Sequence, residues 1–210
     1  RDQFEAATAT FVINDPNGDW NPTNTASPYY PNLVPLRKIR VSGTYAGNDY
    51  YIFSGYCTSY SYTYPKDQLT GYVTISASDG FRLFQLSNVS TITGQAAGQD
   101  TGTRINKILD TIAWPSSMRE VATGGTETIC QADPGTNRTA LDALKMVEYT
   151  EQGAFYCDGE GDAVFKSRAW LMAQSGQNPT YFSNDGTGIT YYSINPALDD
   201  RSEEHTSELQ

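Results

Sequence analysis

Three carboxylates at alternate positions, in Asp158-Gly-Glu-Gly-Asp162, resemble the spacing of a calcium-binding loop. An EF-hand loop beginning at Asp158 would also need glycine at its sixth position and glutamate at its twelfth, where the sequence has Ala163 and Ala169. Two glycines between two strand-like segments are more typical of a tight hairpin turn, which we therefore predict. A second polar cluster has the same interpretation, with a weakly bound cation as the alternative; it consists of Asn14, Asp15, Asn17 and Asp19.

The first 200 residues contain no histidine, because the single histidine of the chain is His205. A Ser-His-Asp triad, a Cys-His dyad and an HExxH zinc site are therefore excluded there. Cys57, Cys130 and Cys157 lack CxxC spacing, and we interpret them as buried free thiols. A glycosidase pair of carboxylates is recognised by its separation in space, so the sequence leaves that alternative open. We predict that this segment is not an enzyme and needs no cofactor or metal.

The tyrosines are the most distinctive local feature. Tyr56, Tyr60, Tyr62 and Tyr64 share a parity, so a straight strand would place them on one face. Tyr29 and Tyr30 lie in a long loop over residues 19–35 that contains four prolines. These rings could form a subunit interface or pack across strands, which we favour, or a platform for glycans. A titration with cell-wall sugars, read by tyrosine fluorescence, would separate the two functions.

The charge of the chain argues against two classes of partner. The formal net charge is −10, and a negatively charged chain is repelled by nucleic-acid phosphates and by an anionic membrane surface. No apolar run approaches the roughly 20 residues that a membrane-spanning helix needs. We therefore expect no stable nucleic-acid binding and no membrane segment.

Hydrophobic periodicity predicts an α+β fold with mainly antiparallel strands. Alternating residues predict strands over residues 7–13, 38–43, 50–64 and 73–77, joined by turns that include residues 46–49. Helices are predicted from a cap at Ser78 or Asp79 through Leu86, from Ile105 to before Trp114-Pro115, and over residues 137–151. Hairpins are predicted around Gly159-Glu-Gly161 and, later, over residues 181–194.

The domain prediction follows from these elements. It comprises a β-barrel-like domain that we expect to be truncated at its N-terminus (residues 1–86), a small α/β domain with two helices and a hairpin (residues 87–170) and the start of a further β segment (residues 171–200). The last ten residues, 201–210, resemble the in-frame translation of a short sequencing adapter, and we predict that they are not native. Without them the net charge is −8, since they contain one arginine and three glutamates.

Several segments occur in the order and spacing of one family's motifs. Ile52-Phe-Ser-Gly-Tyr56 matches a strand motif L-F-x-G-Y-V, and residues 104–115 match R-I-x-x-I-L-D-x-x-G-W-P, with Ala113 in place of the glycine. Residues 153–165 resemble G-x-x-Y-x-D-G-x-G-x-L-x-F, with Ala163 in place of the leucine. Together the segments resemble the minor tail or tail-hub proteins of long-tailed bacteriophages over nearly all of residues 2–200.

This resemblance implies an architecture and no catalytic residues. It implies a structural protein of the virion tail, assembled in the bacterial host cytoplasm as a homotrimeric, baseplate-hub-like ring at the tail tip. The implied partners are further copies of the chain, tail-tube or distal-tail proteins, the tape-measure protein, and tip or fibre proteins. The glycan-binding adhesin module remains the alternative.

Overall fold

The computed structural model describes residues 3–64, 71–91, 96–123, 128–177, 182, 183 and 185. The chain divides into two compact units, Arg1–Met172 and Ala173–Gln210. The predicted α+β class with mainly antiparallel strands is confirmed. The strands are β1 (Thr8–Asp15), β2 (Lys38–Tyr45), β3 (Asn48–Thr63), β4 (Gly71–Ser78), β5 (Asn88–Val89), β6 (Gln99–Asp100), β7 (Arg119–Val121), β8 (Ile129–Cys130), β9 (Arg138–Thr139), β10 (Ala154–Cys157) and β11 (Ala163–Lys166). The helices are α1 (Phe81–Leu86), α2 (Thr101–Thr111), α3 (Ala140–Glu151) and α4 (Arg168–Gln177), with a 3-10 turn at Ser116–Met118.

The first sheet has four antiparallel strands in the order β1-β4-β3-β2 and is curled like half of a barrel. Its strands follow the predicted alternation, since Phe11 and Ile13 on β1 are half-buried while Val12 between them is exposed. On β4, Val73 and Ile75 are buried on the same inner face. The β-barrel-like prediction for this part of the chain is therefore confirmed.

The hairpin between β2 and β3 has a two-residue turn, because Tyr45 pairs directly with Asn48. Ala46 and Gly47 both have positive φ, 50° and 81°. Two successive left-handed residues match the right-handed twist of the flanking strands, and this is why such turns close hairpins. The turn predicted at residues 46–49 is thus confirmed, with the loop reduced to its first two residues.

The described part of the chain has two hydrophobic clusters, one on the inner face of the sheet and one among the helices. The helices pack around the second of these, which we call the helical core. On α1, Phe81 and Phe84 are buried on one face, as predicted. The helix begins after Gly80, and the Asp79 carboxylate accepts a hydrogen bond from the Phe81 N–H at 3.0 Å. On α2, the predicted apolar face is confirmed, and its fully buried members are Ile105, Ile108 and Leu109.

Helix α3 begins three residues later than predicted. Thr139 is its N-cap, and the Thr139 hydroxyl oxygen accepts a hydrogen bond from the Asp142 N–H at 3.0 Å. An N-cap residue has extended backbone, so Arg138 and Thr139 are free to pair with β5 as strand β9. The sequence pattern placed the start of the helix too early because polar residues such as Asn137 and Arg138 also fit a helical periodicity.

The hairpin of β10 and β11 is confirmed, and β7 adds to it in parallel, in the order β10-β11-β7. The prediction of a β segment from residue 171 is wrong for residues 171–177, which lie in α4. Ser167 stands before that helix and its hydroxyl accepts a hydrogen bond from the Trp170 N–H at 3.3 Å, as a helix cap does. The later hairpin over residues 181–194 lies outside the described residues apart from Phe182, Ser183 and Asp185, and the boundary near residue 86 stays a prediction.

Candidate assembly interface

The predicted common face of the tyrosines is interrupted by a β-bulge. Cys57 pairs with Ala77 on β4, but Ser59 pairs with Ser76, so Thr58 is an extra residue on β3. Tyr60 and Tyr62 lie opposite Ile75 and Val73 on the inner face, whereas Tyr56 lies opposite Ser78.

Tyr56 packs against the helical core, whereas Tyr60 and Tyr62 pack in the hydrophobic cluster on the inner face of the sheet. The prediction of one face shared by all four tyrosines is therefore wrong for Tyr56. The glycan hypothesis loses the four-ring platform on which it was based.

The inner tyrosines take part in packing and hydrogen bonding. The Tyr62 hydroxyl donates a hydrogen bond to the Asp15 backbone oxygen at 3.3 Å, and its ring lies 4.6 Å from that of Tyr64. Burial, together with the nearby Asp15 and Tyr64, raises the pKa of Tyr62 to about 12. Burial and a neighbouring thiol, Cys57, also raise the pKa of Tyr60. Only Tyr64 of the four predicted residues is well exposed, at 69%.

The loop after β1 is ordered by a buried carboxylate. Asp15 is 3% exposed, and its two oxygens accept hydrogen bonds from the N–H groups of Asp19 and Trp20 at 2.9 and 2.8 Å. The Trp20 ring lies 4.8 Å from that of Tyr29, and it covers part of the inner face of the sheet. The polar cluster predicted here is thus a turn built on Asp15. Tyr29 and Tyr30 remain 43% and 47% exposed.

Within the described residues, a group of exposed aromatic residues lies on the distal part of the β2–β3 hairpin. β3 pairs with β4 only from Tyr56 onward. Before Tyr56 it pairs with β2 alone, and Ile52 is skipped at a register shift between Phe53 and Tyr51. We call the distal part of this hairpin, from residue 42 on β2 to residue 53 on β3, the hairpin arm. Its exposed apolar residues are Tyr45, Tyr50, Tyr51 and Ile52, at 77%, 53%, 41% and 68%. Sequence reasoning missed the arm, although the density of tyrosine and isoleucine in Tyr50-Tyr-Ile52 beside a short turn could have indicated it.

The two edge strands of the sheet run in opposite directions. β1 and β2 each have eight residues and each has one partner strand among the described residues. Because all three pairings in the order β1-β4-β3-β2 are antiparallel, β1 and β2 are antiparallel to each other. Both alternate in the same way, since Ile39 and Val41 on β2 are half-buried like Phe11 and Ile13 on β1. The edges therefore offer complementary strands for pairing.

The acidic hairpin at residues 158–162 packs against the sheet. One carboxylate oxygen of Asp158 accepts the N–H groups of Glu160, Gly161 and Asp162 at 3.0, 2.9 and 2.8 Å, which closes the predicted turn. Arg40 on β2 donates to the Glu160 backbone oxygen at 3.2 Å. Burial and the charges of Asp158 and Glu160 raise the pKa of Asp162. Within the described residues, no group of three or more His, Cys, Asp or Glu side chains is arranged to hold a metal ion.

Buried charged groups hold the helical part together, and sequence reasoning missed them. Glu151 is 1% exposed and accepts hydrogen bonds from the Thr101 hydroxyl at 2.9 Å, the Thr128 N–H at 2.5 Å and the Arg168 N–H at 3.1 Å. Glu148 is 3% exposed and accepts from the Phe155 N–H at 2.9 Å. Both glutamates lie four residues after an apolar α3 residue, and this spacing was the available signal.

The cysteines carry no disulfide. All three are free; Cys57 and Cys130 are buried and Cys157 is half-buried. Burial raises the pKa of the Cys157 and Cys130 thiols, which lowers the thiolate fraction and with it their reactivity. In the part of the chain that the structure describes, no helix is long and apolar enough to cross a membrane.

Comparison with known proteins gives structural likeness only. No protein-family model and no curated protein matches the sequence. The fold is similar to a tail protein from Neisseria meningitidis MC58, at 14% identity and a TM-score of 0.48, covering 76% of this chain and 41% of that one. It is also similar to the 43 kDa tail protein of prophage MuSo2 from Shewanella oneidensis, at 15% identity and a TM-score of 0.44, covering 77% and 44%. The chain thus spans less than half the length of each of these tail proteins.

Proposed function

We propose that this chain is a structural subunit of a ring at the tip of a bacteriophage tail, between the tail tube and the host-recognition tip. The class of protein is suggested by the ordered series of tail-hub-like motifs in the sequence. The role of an assembly subunit is supported by the described surfaces, namely two open sheet edges and an exposed aromatic arm. In this proposal the chain is not an enzyme, uses no cofactor and acts through its surfaces.

The observation that carries the proposal is the relation between the two edge strands. A β1 strand of one copy placed beside β2 of the next would continue the sheet in the antiparallel sense, with apolar residues still on the inner face. The same two edges are used at every step, so the contact is heterologous and closes into a ring when the rotation allows it. A homotrimer is the ring that we expect.

The hairpin arm supplies the hydrophobic part of this assembly. Clusters of exposed aromatic residues mark protein interfaces. We expect the arm to contact a neighbouring copy, or a tail-tube, distal-tail or tape-measure protein, with tip or fibre proteins on the other side of the ring. The net charge of −8 without residues 201–210 suits a lumen through which DNA slides without binding. The expected location is the virion tail, after assembly in the bacterial cytoplasm.

Cysteine cross-linking of the full chain tests the proposal. Thr10 on β1 is replaced by cysteine together with Lys38, Arg40 or Ser42 on β2, in three separate variants, with the native cysteines changed to serine. Within one copy two strands separate these positions, about 14 Å at the usual strand spacing, so a disulfide must join two copies.

We expect a covalent ladder that ends at the trimer for at least one pair, and rings in negative-stain electron microscopy of the same sample. A matched variant with Thr10→Cys and Asp142→Cys, which places the second thiol at an exposed position of α3, should give no ladder. Monomers by native mass spectrometry at every concentration, without cross-links for any of the three pairs, would contradict the proposal.

A further inference from the structure

Polar contacts hold the segment before β1 against the rest of the described chain at its two ends, and at the first end the Gln3 side-chain amide donates to the Lys145 backbone oxygen at 3.3 Å. Residues 3–7, which we call the N-terminal clasp, all have exposed side chains. Between the two ends, the clasp forms one wall of a groove of 630 Å³ whose other wall includes Phe81, Leu141 and Tyr149. The position of the clasp therefore depends on a few polar contacts and not on buried side chains.

Lys145 on α3 holds the first end. Its ammonium group donates to the Phe4 backbone oxygen at 2.6 Å and to Glu148 at 2.8 Å, and it lies 4.8 Å from the centre of the Phe81 ring. Glu148 is itself fixed by the Phe155 N–H on β10. The ammonium is thus held in place by the core, and hydrogen bonds to a charged donor are stronger than neutral ones. The Phe4 ring adds a contact to Tyr156 at 5.2 Å.

Asp79 holds the second end. Its carboxylate accepts the Ala7 N–H at 2.9 Å, and its own N–H donates to the Ala7 oxygen at 3.0 Å. The pair of Ala7 and Asp79 extends the β1–β4 ladder by one step beyond Thr8 and Ser78. The same carboxylate accepts the Phe81 N–H at the start of α1, so Asp79 joins the sheet to the helices.

We propose that the N-terminal clasp sets the position of edge strand β1 for assembly, and that Lys145 is its positioning residue. This inference rests on the proposed function, since it concerns the strand that pairs with the next copy. Among the described strands, only β4 pairs with β1, so the direction of β1 at its start depends on the clasp. The helical part would in this way control how the sheet presents its edge.

Two variants open the clasp by different routes. Lys145→Met removes the donor to Phe4, and Ala7→Pro removes the N–H that Asp79 accepts while leaving Lys145 and Glu148 intact. The matched controls are Arg82→Met, a change of an exposed cation on α1, and Ala6→Pro, at a position where no hydrogen bond of the N–H is found within the described part of the chain. Each variant carries the cysteine pair that cross-links best in the wild-type background.

We expect amide hydrogen exchange of residues 8–10 to become at least tenfold faster in Lys145→Met and Ala7→Pro, and the cross-linking yield to fall about tenfold, as the loss of a charge-assisted hydrogen bond predicts. Both controls should behave like the wild-type chain. If Lys145→Met fails to fold by circular dichroism, Ala7→Pro decides the question.

Wild-type cross-linking by both folded variants would overturn the inference and leave the proposed function intact. Absence of cross-linking in the wild-type chain would instead contradict the proposed function. It would overturn this inference with it, whatever the exchange rates show, because an edge that pairs with no copy needs no positioning.

Discussion

Tyr56 and Tyr60 lie on opposite faces of strand β3, although they are four positions apart and a regular strand would place them on the same face. The bulge at Thr58 reverses the parity between them, because Cys57 and Ser59 pair with the neighbouring residues Ala77 and Ser76. Tyr56 is thereby directed to the helical core and Tyr60 to the cluster inside the sheet. One unpaired residue thus allows a single strand to contribute aromatic rings to both cores.

Deletion of Thr58 should therefore be tolerated far better than deletion of another exposed residue of the same strand. Without Thr58 the remaining pairs form a regular ladder, and we expect a loss of about 1 kcal/mol in the free energy of unfolding. Deletion of Ser61 would turn Cys57 and Tyr60 away from their cluster, with a loss of about 3 kcal/mol or more. Urea unfolding of both variants measures the difference, and equal losses would mean that the bulge is not the source of the parity change.

Ala113 offers a stabilising substitution. It has a φ of 56° directly after the cap of α2, where the Trp114 N–H donates to the Leu109 oxygen at 2.9 Å and the Ala113 N–H to the Asp110 oxygen at 3.0 Å. These two bonds form a Schellman motif, whose left-handed residue is usually glycine. We expect Ala113→Gly to raise the free energy of unfolding by about 0.5–1 kcal/mol. Ala169→Gly within α4, the control, should lower it by about 1 kcal/mol, and destabilisation by both would contradict the left-handed assignment.

Asp79 should make stability depend on pH in an unusual direction. Burial raises the pKa of its carboxyl group. The hydrogen bonds from the Ala7 and Phe81 N–H groups and the charge of Lys145 act in the opposite direction but are smaller effects. Glu148 and the Cys157 thiol also lie in this region. A raised pKa means that the folded state binds more protons than the unfolded state at intermediate pH. The stabilising contribution is therefore complete below the unfolded pKa of about 3.9 and is lost as pH rises through the folded pKa.

Comparison with Asp79→Asn isolates this effect. We expect the free energy of unfolding of the wild-type chain, minus that of Asp79→Asn, to decrease as pH rises from about 4 and to become constant once Asp79 is ionised. Denaturant unfolding of both proteins across this range measures it. Parallel pH profiles would show that Asp79 does not titrate differently in the folded state.

The hairpin arm should matter for assembly and not for folding. Tyr50→Ser combined with Ile52→Ser removes exposed apolar surface, so we expect self-association to weaken about tenfold or more with little change in the unfolding temperature. Leu86→Ser combined with Ile129→Ser is a matched control, since both residues are also exposed, at 51% and 59%. Sedimentation equilibrium gives the association constants. Equal weakening by both pairs would deny the arm a specific role.

Glu151 should be the most sensitive buried polar residue of the helical part. Its carboxylate accepts hydrogen bonds from three separate segments, so Glu151→Ala leaves several buried donors without a partner. We expect a loss of about 3 kcal/mol or more in the free energy of unfolding, compared with about 0.5 kcal/mol for the exposed Glu160→Ala. Thermal unfolding of both variants checks the difference, and a small effect at Glu151 would mean that water replaces the carboxylate.

The sequence by itself determined the local elements. Alternation gave β1 and β4, the i, i+3, i+4 pattern gave the buried face of α2, and turn residues gave the hairpins at Ala46-Gly47 and residues 158–162. These features depend on interactions between neighbours in the chain, which propensity and periodicity describe well. The local pattern located the start of α3 only to within three residues. The position of the N-cap, Thr139, depends on the pairing of the preceding strand β9 with β5.

Only the tertiary structure decided the rest. The strand order β1-β4-β3-β2, the parallel addition of β7 to β11 and the bulge at Thr58 depend on pairing between residues that are distant in the sequence. The same is true of the buried Glu148 and Glu151, whose partners come from several segments, and of the clasp that joins Phe4 to Lys145. A local pattern states which side of a strand or helix is apolar, but the partner that covers it is selected by packing of the whole chain.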